Sequence, residues 1–280
     1  MRAGYSSRLK IHFGRADRRN SRNMYTCDMH THTIASGHGT SATIAEMAKA
    51  AAAKGMTILG ITDHGPGTMA AGTTSYFRGI SKSARLRSGI RVCLGAESNI
   101  MDYDGRLDLP DDILQDLDYV IASIHYGCLK PGGREANTRA YALAMRHPCV
   151  KIIGHPDDTR YPLDYDRLAE AAGEYGVALE VNNASLAPDG WRGDVRPNIL
   201  AMLKACREKK VPVILSSDSH GPAHIGDFTY AERIVEEVNF PRSLILNADP
   251  AHMLDFLGVG EADRKVPRYR DPFEETHYIP

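Results

Sequence analysis

The chain holds no apolar stretch of the roughly 18 residues that a membrane-spanning helix needs, and no signal-peptide hydrophobic segment opens it. A cytoplasmic protein without a membrane partner is therefore expected. There is no CxxC pair, and five cysteines is an odd number, which argues against a disulfide framework. Cys27, Cys93 and Cys149 fall in or beside hydrophobic runs, so buried free thiols are expected, with a thiolate ligand from Cys27 or Cys128 as the sharper alternative. No G-x-S-x-G elbow, P-loop or Rossmann glycine fingerprint follows a strand-like run. Chemistry that depends on those elements is set aside.

Net positive charge is confined to one segment. Residues 1–23 carry Arg2, Arg8, Lys10, Arg15, Arg18, Arg19 and Arg22 against Asp17 alone, a net +6, so a whole-chain charge of −1 leaves −7 for the rest. An acidic body argues against a nucleic-acid groove. The basic leader reads as a disordered extension or the product of a start upstream of Met24; a nucleic-acid or membrane-surface arm and a targeting segment are the alternatives.

What the chain has is a repeated ending. Seven short hydrophobic runs each stop on a metal-binding or amide residue. They are MYTCDMHTH (His30, His32), MTILGITDH (Asp63, His64), IRVCLGAES (Glu97), DYVIASIH (His125), VKIIGHP (His155), VALEVNN (Asn182, Asn183) and VPVILSSDSH (Asp218, His220). The endings recur about every thirty residues, the length of one strand plus one crossover helix. The runs are continuously apolar, as parallel strands covered on both faces are. Thr43-Ile44-Ala45-Glu46 reads as a capping box before an Ala-rich helix stopping at Gly55, and residues 135–146, 164–175, 197–209 and 228–238 carry helix-period apolar positions. Alternating strand and helix over 280 residues, 42% hydrophobic, suits one α/β barrel with its chemistry at the carboxyl ends of the strands. Seven strands are found and no eighth.

The site can be read pair by pair. In extended chain, residues i and i+2 point the same way, so His30-Thr31-His32 presents two imidazoles and Asp218-Ser219-His220 a carboxylate and an imidazole. In a barrel the last strand closes beside the first, which brings the pairs together. Imidazole and carboxylate without cysteine suit zinc, manganese or iron rather than calcium or magnesium.

The segments DMHTHTIASGHGT, GITDHGPG, LGAESNI, IASIHYG, IIGHP, ALEVNNAS and SSDSH resemble the PHP (polymerase and histidinol phosphatase) family, most closely its YcdX-like branch of stand-alone phosphatases. The resemblance runs on through GDFTYAERIVEEVNFP and RSLILNADPAHMLDFL and covers about residues 24–258. It implies a distorted seven-stranded (β/α)7 TIM-like barrel over 24–262, between the extension 1–23 and a tail 263–280, holding three divalent transition-metal ions. His30, His32, Glu97 and Asp218 would bind the first, Glu97 with His125 and His155 the second, and His38, His64 and His220 the third. Only the resemblance promotes His38, which otherwise reads as a loop histidine. Asp63 is expected to orient an imidazole. Asn182 and Asn183 contact substrate or satisfy the barrel rim. His224 overlooks the pocket or, like His12, His147, His252 and His277, lies outside it.

Two metals about 3.5–4 Å apart can bridge a water, lower its pKa and hold the hydroxide in line with phosphorus, while a third neutralises charge on an oxygen. The expected reaction is hydrolysis of a small phosphorylated metabolite, a monoester before a diester, by a chain that can form a homo-oligomer. Arg160 is a candidate phosphate clamp. The competing classes are a metal-dependent amidohydrolase, which often bridges its metals with a modified lysine absent from these strand ends, and a non-catalytic metal-binding module.

Overall fold

The computed structural model describes residues 25–259. The basic leader 1–23 and the tail 263–280 lie outside the described residues. The order is β1 (Cys27–Asp28), β2 (Thr31–His32), α1 (Ile44–Ala53), β3 (Ile58–Ile61), α2 (Thr74–Ile80), β4 (Leu86–Arg87), β5 (Ile90–Leu94), β6 (Ala96–Asn99), α3 (Asp111–Leu114) and β7 (Val120–Ser123). There follow α4 (Gly133–Ala144), β8 (Val150–Ile153), α5 (Tyr165–Tyr175), β9 (Ala178–Asn182), α6 (Asn183–Leu186), α7 (Arg196–Lys209), β10 (Val213–Ser216), β11 (Ser219–His220), α8 (Thr229–Glu237) and α9 (Pro250–Leu257).

Local chemistry sets the boundaries. Glu46 N donates to Thr43 Oγ1 at 3.4 Å and Thr43 N to Glu46 Oε2 at 2.7 Å, so the anticipated capping box starts α1. Asp164 caps α5, which ends on Gly176 in the left-handed conformation. The four helices expected at 135–146, 164–175, 197–209 and 228–238 appear as α4, α5, α7 and α8. Strands β3, β6, β7, β9 and β10 are buried at every position, which is why their sequences do not alternate.

This is an α/β fold with parallel sheets, but its ladder is broken into three: β1-β3-β5-β4, β10-β9-β8-β7-β6 and β11-β2. Only the β4–β5 pair is antiparallel among them. The breaks fall where ligand-type residues sit. β5 stops at Leu94 and β6 resumes at Ala96; a Cβ on the intervening Gly95 would lie 2.6 Å from the Tyr119 carbonyl oxygen. β10 stops at Ser216 and β11 resumes at Ser219, which pairs with Thr31 while His220 pairs with His32.

Side chains join the first strand to the last. The Asn247 amide donates to the Cys27 carbonyl at 3.1 Å and the Leu215 carbonyl at 2.9 Å, and accepts from Leu215 N at 3.2 Å. The buried Asp28 carboxylate accepts from Ser217 N at 3.2 Å, Ser217 Oγ at 2.5 Å and Gly226 N at 2.8 Å. One apolar cluster gathers Cys27, Ile58, Cys93, Ile121, Ile152, Ala178 and Ile214, a residue from each of β1, β3, β5, β7, β8, β9 and β10. Met253 and Leu257 of α9 pack against it. The larger cluster lies between strands and helices.

Candidate metal centre

Beyond the inner cluster, the carboxyl ends of the strands deliver a crowd of imidazoles. His30 and His32 flank Thr31, the first residue of β2; His125 and His155 follow β7 and β8 by two residues. His64 forms an isolated parallel bridge with Glu97 of β6. Two of these residues occupy backbone that L side chains rarely adopt, His155 at φ 30° and Asp218 at φ 53°. Strain of this kind persists where surrounding contacts hold a side chain to a task.

Glu97 is the hub. Its Oε2 lies 2.6 Å from His64 Nδ1, 3.4 Å from His30 Nε2 and 3.6 Å from His32 Nε2. Its Oε1 lies 2.9 Å from His155 Nε2 and 3.4 Å from His125 Nε2. Asp218 Oδ1 stands 3.2 Å from His32 Nε2, 3.6 Å from His30 Nε2 and 3.7 Å from His220 Nδ1. The loop histidine joins them: the His38 ring stacks 4.9 Å from that of His64 and lies tilted 4.8 Å from that of His220. Gly39 permits that approach, since a Cβ there would lie 2.7 Å from the His220 side chain.

The donor set fits bound cations. His30 Nε2, His32 Nε2, His64 Nδ1, His220 Nε2 and Glu97 Oε2 are buried without a hydrogen-bond partner, a cost that a coordinated ion would remove. Three groups have donor atoms mutually within 4.8 Å: His32, His64 and His220; His30, His32 and Glu97; and His64, Glu97 and His125. None of these groups contains a cysteine. Burial alone would raise Glu97, but His125, His30 and His64 hold it well below the usual carboxylate range. Asp218 is likewise held low against burial by His30, His32 and Arg192. Burial and His64 push His32 well below 6.5, leaving a lone pair free.

A second set of groups aims the rings. His30 Nδ1 meets Glu180 Oε1 at 2.7 Å, His125 Nδ1 meets Asn99 Oδ1 at 2.7 Å, and His32 Nδ1 meets Ser36 Oγ at 2.9 Å. Asp63 touches no imidazole. It accepts from Thr33 N at 2.6 Å, Thr33 Oγ1 at 2.8 Å, Ser36 Oγ at 2.7 Å and the Tyr76 hydroxyl, so it reaches His32 only through Ser36. Asn182 donates to Asp218 Oδ2 at 3.1 Å and Glu180 Oε2 at 3.2 Å, while Asn183 Oδ1 accepts from Tyr230 N at 2.8 Å at the start of α8. Both satisfy the rim.

Arg160 is forked onto Asp158, with Nε 2.9 Å from Oδ1, and does not line the cleft above the histidines. The arginine that does is Arg192, buried, with Nη2 3.1 Å from Asp218 Oδ2 and Nη1 2.9 Å from Ser185 Oγ. His224 is absent from the lining. Sequence reasoning missed Glu180 and Arg192. Glu180 carried a signal, a charge inside the apolar run VALEV that only a buried partner justifies. Arg192, in a loop, carried none. The cleft encloses about 670 Å³ and is lined by His38, His64, His125, Asp218 and His220 together with Met69, Tyr126 and Trp191. Such a lining can hold cations and an anion together.

Residues 28–184 match the family model described as PHP domain. A protein of Clostridium novyi named "Probable phosphatase" is 40% identical over 233 residues, 83% of this chain and 94% of that protein. Another so named, from Caldanaerobacter subterraneus, is 42% identical over 231 residues, 82% of this chain and 90% of that protein. Among solved structures, histidinol phosphate phosphatase of Lactococcus lactis, complexed with zinc, L-histidinol and phosphate, has a similar fold. Its TM-score is 0.53 at 21% identity, covering 78% of this chain and 95% of that one.

Proposed function

The chain belongs to the PHP-domain family, and from that premise we propose that it is a metal-dependent phosphatase hydrolysing a small phosphate monoester at a trinuclear centre. The observation that carries this reading is the convergence of partnerless buried histidine nitrogens on Glu97 and Asp218 beneath an open cleft. His30, His32, Glu97 and Asp218 would hold one ion, Glu97 with His125 and His155 a second, and His38, His64 and His220 a third. Zinc is the ion we propose; manganese or iron suits the same donors. The inner cluster drawn from seven strands supports reading the three sheets as one distorted (β/α)7 barrel. Five free cysteines fit a reducing cytoplasm. No helix among the described residues is long and apolar enough to cross a membrane.

Bound divalent ions would supply an activated water and neutralise charge on the phosphoryl oxygens. The protein's share is placement. Glu180, Asn99 and Ser36 fix the ring orientations, so donor atoms face the centre without reorganising. Arg192, the cationic side chain in the cleft wall, holds Asp218 by a hydrogen bond and joins His30 and His32 in keeping its carboxylate low. The buried Arg192 Nε has no hydrogen-bond partner. Metal-replete protein should release phosphate from a generic aryl phosphate and leave dihydropyrimidines and N-acyl amino acids intact. The opposite pattern would assign the centre to C–N hydrolysis.

A further inference from the structure

The segment GITDHGPG carries no side chain just after His64, and a carboxylate from elsewhere takes the space. It belongs to Asp108: a Cβ on Gly65 would lie 2.3 Å from both of its oxygens. Gly67 N donates to Asp108 Oδ2 at 2.8 Å. Oδ1 accepts from Ser98 Oγ at 2.6 Å and Asn99 N at 3.0 Å, and Oδ2 accepts from Asn99 Nδ2 at 2.5 Å. Asp108 lines no part of the cleft. Yet it ties together the chain beside His64, the chain beside Glu97 and the amide that holds His125, and those three ligands form one of the donor groups.

This grip decides which way the Asn99 amide faces. Its Nδ2 donates to Asp108 Oδ2 and, at 3.3 Å, to the Gly65 carbonyl. Reversed, the amide would set its own oxygen against both acceptors. Oδ1 is therefore turned to Thr68 Oγ1 at 3.2 Å and His125 Nδ1 at 2.7 Å. An amide oxygen can only accept, so the network assigns the His125 proton to Nδ1 and leaves the lone pair on Nε2. Nε2 is the nitrogen that stands 3.4 Å from Glu97 Oε1.

We propose that Asp108 is a positioning residue of the metal centre: by gripping the Asn99 amide it fixes the His125 tautomer, and with it the readiness of that ring to bind an ion. This rests on the metal-centre reading and adds to it a carboxylate that bonds to no proposed ligand.

Asp108→Asn tests it, because the size is kept while one carboxylate oxygen becomes an amino group. Ser98 Oγ and Asn99 N hold the remaining oxygen, so the amino group faces the Asn99 side chain. Asn99 relieves the clash by reversing its amide, which turns Nδ2 towards His125 and moves the ring proton to Nε2. Competition with a chromogenic chelator should then show one ion bound about 10- to 100-fold more weakly, and excess zinc should restore turnover of an aryl phosphate. Adding Asn99→Asp restores the net charge and sets a carboxylate opposite both the amino group and His125 Nδ1, so affinity should recover. A merely loosened scaffold would not be repaired by a second change. Ser98→Ala removes a donor to the same carboxylate but leaves the Asn99 amide held, so it should lower the melting temperature and keep the affinity. Unchanged affinity in Asp108→Asn, a double variant no better than the single, or an equal loss in Ser98→Ala would overturn the inference and leave the metal centre standing. If the single variant does not fold, the folded double decides: wild-type affinity supports the inference and weakened affinity overturns it. Wild-type protein that binds no transition metal would overturn the metal-centre reading, and this inference with it.

Discussion

Glu180 grips His30 from the side facing away from the centre, Oε1 to Nδ1 at 2.7 Å, with both side chains fully buried. Burial alone would lower His30, but Glu180, Asp218 and Glu97 raise it well above 6.5. The other Glu180 oxygen accepts from His155 N at 2.6 Å, so one carboxylate aims two proposed ligands. Glu180→Gln should keep the fold and weaken metal binding about 10- to 100-fold, read by competition with a chromogenic chelator. Unchanged affinity would reduce Glu180 to a filler of the strand.

The ligands should not be equally replaceable. Protein prepared without chelator should hold about three transition-metal ions per chain by elemental analysis, as its donor set allows. Glu97→Gln removes charge where five imidazoles converge, so activity should fall by several orders of magnitude and the centre partly empty. His38→Ala should lose chiefly one ion and less activity, and His224→Ala should lose none. If His38→Ala empties the centre as thoroughly as Glu97→Gln, the division of ligands among separate ions is wrong.

Chelation should lower the melting temperature. Without cations, buried donors stay unpartnered and the linkage between binding and folding is forfeited. A site loaded at about a hundred times its Kd contributes about 2.7 kcal/mol, or roughly 5–10 °C for a domain of this size. Calorimetry before and after chelation reads the shift, and coincident transitions would refute a coupled centre.

Stability should also fail at high pH through the thiols. Burial pushes Cys27, Cys93 and Cys206 up from 9.0 to about 12. A raised folded-state value favours the native protein fully below pH 9 and progressively less as pH climbs towards 12. Each buried thiol should then cost roughly 1.4 kcal/mol per pH unit in that window. Cys206→Ala, from which one of the three is missing, should show a shallower alkaline loss in urea titrations; an identical slope would contradict the assignment. At neutral pH these three should resist thiol reagents until the chain unfolds.

The strand endings were legible because the carboxyl edge of a parallel sheet must carry polar residues where apolar runs stop, and His30, Glu97 and Asp218 do so within their own segments. Helices such as α1 and α5 were legible from caps and period. The breaks in the ladder were not, because a gap such as that between Leu94 and Ala96 depends on Tyr119, a neighbour remote in sequence. Nor was the coupling of Asp63 to His32, which passes through Ser36. Arg160 looked like a clamp for phosphate because it follows His155 closely. Its proximity to Asp158 instead commits the guanidinium locally, and the cleft takes its arginine from a loop whose path no local pattern encodes.

The Asn247 amide and the Asp28 carboxylate set a timetable for biosynthesis. Asn247 reaches back 220 residues to the Cys27 carbonyl, and Ser217 reaches back 189 to Asp28. At about 5–20 residues per second, His30 and His32 leave the ribosome roughly 10–40 s before the segment that brings Asp218 to them. During that interval the nascent chain exposes an HxH pair that can take up a stray cation but cannot enclose it. The centre can be completed only after translation has passed Asp218, and the seam only after Asn247.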